Sequence, residues 1–133
     1  MSYFATRSDV ENRYGVDNVA IMADLNNDGN TTTIGNRIAM ALSNADAWVW
    51  GYLRKSPYSN RLPSIVDRSG SIPLELTNAA VMFAGWWLWT ARGSKDYDKD
   101  GKPISHLYCD YTESRETMKM IAEGTRFLMD VDC

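Results

Sequence analysis

Ile34, Ile38, Leu42, Ala45, Trp48 and Tyr52 recur at spacings of 4, 4, 3, 3 and 4. That is the period of a helix with one buried face, and it predicts a helix over 34–53. Trp50 breaks the pattern: two residues from Trp48, it points about 200° away, so the two indoles cannot face the same core. A second pattern lies in residues 79–89, which carry no charge and hold three of the chain's five tryptophans. A surface helix normally shows one apolar stripe and one polar face. This segment is instead apolar all round for about three turns. It is far short of the roughly 20 residues needed to cross a bilayer. Such a helix needs cover on every side, and the simplest source is other subunits. It is expected to start at Ile72-Pro73, where the missing N–H of proline costs nothing, and to end near Arg92-Gly93.

Three further helices follow from the same kind of reading. Thr6 to Gly15 opens on a capping residue, places acids early and ends on glycine, with Val10 and Tyr14 on one side. A short helix over 17–23 has Val19, Ala20 and Met22 as its apolar residues. The last helix is predicted over 112–128, with Glu113 and Glu116 near its positive end and Met118, Ile121, Thr125 and Leu128 on its apolar side. Between these run long polar loops at about 24–33, 54–71 and 93–111, rich in turn-forming residues. Ile65-Val66 reads as a short extended segment within the second. The expected fold is all-α, one domain over 1–133 made of about five helices. Asn26 to Thr33 and Ser94 to Asp110 hold few large apolar side chains, so they are expected to order against a partner.

Charged residues are 23% and hydrophobic residues 44% of the chain, ordinary globular values. The net charge is −3 and there is no basic run, which argues against autonomous nucleic-acid binding. Cys109 and Cys133 form neither a metal motif nor a disulfide framework and read as free thiols in a reducing cytoplasm. The first residues lack the basic-then-apolar layout of a signal peptide.

Asp24-x-Asn26-x-Asp28-Gly29 and Asp96-x-Asp98-x-Asp100-Gly101 begin as calcium loops begin, with alternating oxygen ligands before a glycine. At the twelfth position, where a bidentate acid belongs, stand Gly35 and Leu107. Turn chemistry explains both clusters. A weak Ca2+ site at Asp24, Asn26 and Asp28 is the alternative, and with it the reading of the chain as a small calcium-binding interaction module. Ser105-His106 lacks a third group to make a triad, and no phosphate-binding glycine loop is present, so the chain is read as a non-enzyme without a resident cofactor. Trp86 and Trp89, three apart, are expected in the core. Trp50 and Trp87 lie off their helices' core stripes and are assigned to a subunit or partner interface, where tryptophan is enriched.

Tyr3-x-Ala5-Thr6-Arg7-Ser8-Asp9-Val10, Arg13-Tyr14-Gly15 and Asp24-x-Asn26-x-Asp28-Gly29 resemble the start of the Mu-type head–tail connector, or adaptor, family of tailed bacteriophages. The resemblance continues through Ala41-x-x-x-Ala45-Asp46, Gly51-Tyr52-Leu53, Leu62-Pro63, Ile72-Pro73-Leu74-x-Leu76 and the stretch from Thr117 to Gly124. It thus covers most of the chain through short motifs in order. The chain departs from the family in the insertion-like Ser94–Asp110 and in Thr31-Thr32-Thr33, where relatives are more acidic. The resemblance implies a structural virion protein of the neck, assembled in the host cytoplasm. It would form a ring, commonly of about twelve copies, between the portal protein and a tail terminator or stopper. DNA would pass through the channel without specific binding, no membrane would be involved, and no catalytic residues are carried over.

Overall fold

The computed structural model describes residues 3–24, 28–59, 65–66, 70–91, 106–124 and 128. Five helices follow one another: α1 (Arg7–Tyr14), α2 (Val16–Ala23), α3 (Thr31–Leu53), α4 (Leu74–Ala91) and α5 (His106–Glu123). No strand occurs among the described residues, and the fold is the all-α bundle that the patterning predicts.

Side-chain caps set several of the boundaries. Thr6 and Asp9 form a reciprocal capping box at the start of α1. Gly15, at φ 95°, ends α1 and begins α2, so a single residue makes the corner. α3 starts at Thr31 rather than Ile34, because the Asn30 side chain accepts from the N–H groups of Thr32 and Thr33. The threonine run assigned to a loop is thus the first turn of the helix. α5 differs more: it begins at His106 instead of residue 112 and ends at Gly124 (φ 78°), short of 128. The loop expected over 93–111 therefore gives its last six residues to a helix. Thr125 lies outside the described residues, and Leu128 is buried without being helical.

α4 is the centre of the bundle and packs against all four other helices. Ala79, Ala80, Ala84 and Gly85 are buried on it, and their small size lets neighbouring backbones come close. None of residues 79–89 is exposed. The cover that this apolar segment demands is supplied within one chain, which corrects the expectation that other subunits must provide it.

The stripe on α3 shifts partway along. Ile34, Ile38, Leu42 and Ala45 are buried as predicted, but the stripe continues through Val49 and Leu53, while Trp48 and Tyr52 are half-buried. Four residues from Ala45 advance the helix 40° past a full turn, and three leave it 60° short, so Val49 stays closer to the core line. The Trp48 indole lies at the edge, stacked on Phe83 at 4.8 Å. Trp86 and Trp89 are likewise half-buried beside the buried Leu88. The connection after α3 is no simple loop. Ser56 accepts from the Tyr58 N–H, Tyr58 is fully buried with its hydroxyl accepting from the Leu128 N–H at 2.7 Å, and Ile65 is also fully buried.

Candidate functional site

Trp50 is half-buried, and the cover comes from the N-terminal segment. The Phe4 and Tyr3 rings pack on its indole at 4.6 and 5.3 Å. Asp46, one turn earlier on α3, holds that segment down: its carboxylate accepts the Tyr3 N–H at 2.6 Å and the Phe4 N–H at 3.1 Å. The Tyr3 hydroxyl donates to the Ile65 carbonyl at 2.8 Å. The indole that cannot share the face of Trp48 has its own small aromatic cluster, in which Phe4 is buried.

Trp87 is half-buried beneath Arg37, whose guanidinium carbon stands 4.6 Å from the ring centroid. The Arg37 Nε is buried and has no hydrogen-bond partner among the described residues. Its Nη1 makes only a long contact, 4.0 Å, with the Met40 sulfur. Arg37 and Asp46 are the only two charges in the 23 residues of α3. Neither was assigned to a site from the sequence, where Asp46 entered only as part of the motif Ala41-x-x-x-Ala45-Asp46, and their isolation on an otherwise uncharged helix is the signal that would have found them.

A third polar cluster ties α1 to the start of α5. Asp110 Oδ2 accepts from the Arg13 guanidinium at 3.0 Å and from the Tyr14 hydroxyl at 3.0 Å. Burial, and next the charge of Asp110, push the Tyr14 phenol well above the usual tyrosine value, so it remains a donor. Beside it, α4 carries a polar ridge at Asn78 between two hollows. One, of about 410 Å³, runs along α1 past Asn12 and Arg13, and the other, of about 160 Å³, is lined by Glu75 and Glu113.

In the first metal candidate, Asp24 accepts from the Asp28 N–H at 3.3 Å and the Gly29 N–H at 3.0 Å, and Asp28 accepts from the Asn30 N–H. These are turn contacts that lead into the Asn30 cap. A cation there would compete with backbone donors for the same oxygens. Asn26 lies outside the described residues, as do Asp96, Asp98, Asp100, Ser105, Leu62-Pro63 and Cys133. Among the described residues, no three His, Cys, Asp or Glu side chains gather as a metal site. His106 opens α5, with its side chain outside the description, and Cys109 is exposed on the same helix. No helix among the described residues is long and apolar enough to span a membrane.

Compared with known proteins, the chain matches no protein-family model and no curated sequence.

Proposed function

We propose that the chain is a structural subunit of a tailed-phage neck, a head–tail connector that forms a ring beneath the portal and receives the tail or its stopper. The observation that carries this reading is the ordered series of short motifs, spread over most of the chain, that resembles that family. Supporting it, the motif residues coincide with joints of the fold. Tyr3 meets Asp46 across 43 residues of sequence, Thr6 and Asp9 cap α1, Gly15 turns the corner into α2, and Pro73 presents its carbonyl to the first turn of α4.

With residues 79–89 of α4 covered inside the chain, subunit and partner contacts belong to the outer faces of the helices and to the half-buried Trp50 and Trp87. The mild net charge of −3 suits a channel that DNA traverses without adhering. The test is to mix the purified chain with portal assemblies of the phage that encodes it and to image the product by electron microscopy. A closed ring of about twelve copies seated on the portal is expected. Failure to bind the portal at micromolar concentrations would sink the reading.

A further inference from the structure

The connection from α3 to α4 is held from both ends of the chain. Tyr3, in the N-terminal segment, donates its hydroxyl to the Ile65 carbonyl at 2.8 Å. Leu128, beyond the end of α5, donates its N–H to the Tyr58 hydroxyl at 2.7 Å. The partners lie 62 and 70 residues apart in sequence, so neither bond is a local turn contact. Gly124, which ends α5 at φ 78°, stands against the same stretch of chain. A Cβ placed there would be 3.4 Å from Pro57 Cγ.

These anchors lie in the interior. Tyr58 and Ile65 are fully buried, Leu128 is 4% exposed, and all three belong to one core cluster. A buried N–H has no water to turn to, so Leu128 depends on the Tyr58 hydroxyl while it stays inside. Tyr58 is fixed in turn by Ser56, whose buried hydroxyl accepts the Tyr58 N–H and donates to the Leu53 carbonyl at the end of α3. On the other side, the Tyr3 ring rests on Trp50 while Asp46 holds its N–H. The cover of Trp50 is thus fastened to the connection at Ile65, and the C-terminal segment at Tyr58. The Thr6–Asp9 capping box is complete within residues 6–9. Lifting residues 3 and 4 would therefore leave α1 capped.

We infer that the α3–α4 connection couples the two ends of the chain, so that Leu128 and the Tyr3–Phe4 cover of Trp50 let go together. Contacts that act through one shared stretch of backbone are coupled even where they do not touch. Such a stretch opens as a cooperative unit, at a lower cost than the whole bundle. The coupling runs both ways: whatever releases one end releases the other. A partner that drew Leu128 out of the core would thereby bare an indole on α3, and tryptophan is enriched among interface anchors. This is a property of the single chain, and it stands whether or not the chain meets a portal.

The test is amide hydrogen exchange, read residue by residue by NMR on the full chain. Tyr58→Phe removes the acceptor for the Leu128 N–H and keeps the ring. It is expected to speed exchange at Leu128 and equally at Tyr3 and Phe4, by roughly tenfold for one lost buried hydrogen bond. Tyr3→Phe removes only a half-buried hydroxyl and leaves the ring on Trp50. It should speed exchange at Leu128 as much as at Phe4. If Tyr58→Phe does not fold, Tyr3→Phe alone decides. Acceleration confined to the terminus that lost its bond overturns the coupling. Asn30→Ala is the control, because it removes a cap that takes no part in these contacts. It should leave the exchange of Tyr3, Phe4 and Leu128 unchanged. Equal acceleration by Asn30→Ala would mean that the two ends open only when the whole chain unfolds, which also overturns the coupling.

Discussion

Asp46 accepts two consecutive backbone N–H groups, those of Tyr3 and Phe4. Hydrogen bonds to a charged group contribute about 1.5–3 kcal/mol each at most, and shared geometry makes the pair less than additive. Asp46→Ala is expected to destabilise the chain by about 2–3 kcal/mol. It should also red-shift tryptophan emission, because Tyr3 and Phe4 would leave Trp50. A melt with unchanged emission would show that the aromatic contacts alone hold the segment. Tyr14 gives a pH prediction. Its phenol is raised in the fold, so the native state keeps a proton that the unfolded chain gives up near pH 10. The stabilisation is complete below about pH 10 and declines as pH rises above it. Tyr14→Phe should flatten that alkaline decline, measured as urea midpoint against pH. Saturating calcium should move the melting temperature little, since Asp24 and Asp28 already accept backbone donors. A rise of several degrees would restore the calcium-module reading.

The elements respond to their caps and to the room around them. Asn30→Ala removes the acceptor for two N–H groups at the head of α3 and should cost about 1 kcal/mol, with helicity lost from the first turn. Ala84 is fully buried on α4, so Ala84→Leu should cost about 1–3 kcal/mol through overpacking, read as a lowered denaturant midpoint. Helix order and number were readable because capping residues, glycines and the 3.6 period are local signals. The first half of the α3 stripe was readable for the same reason. The switch from Trp48 to Val49 was missed because steps of three and four from Ala45 both fit a helical stripe, and the advantage of Val49, about 20°, decides only once α4 is packed against α3. Tyr58 and Ile65 were hidden too, since nothing around them repeats and their burial is settled by distant partners such as Leu128. The early start of α5 was masked by turn-forming neighbours. Of the candidate site, Trp50 and Trp87 were visible as misfits, while Arg37 and Asp46 acquire meaning only beside Trp87 and the N-terminal segment.

At the scale of the molecule, the bundle is organised around one helix, and α3 packs more extensively against α4 than against α1 or α2. Unfolding should therefore be a single cooperative transition, with α4 amides among the slowest to exchange with solvent. Distinct melting of α1 and α2 before the rest would contradict that. The place of α4 in the chain order has a consequence for biosynthesis. Ribosomes deliver the chain from its N-terminus, so α1, α2 and α3 emerge before the helix on which they are assembled. Much of their apolar surface has nothing to pack on until residue 91 clears the exit tunnel. A fragment of residues 1–73 should accordingly be largely unstructured by circular dichroism. A message truncated in that region would yield no partial domain, only a segment for proteases and chaperones to remove.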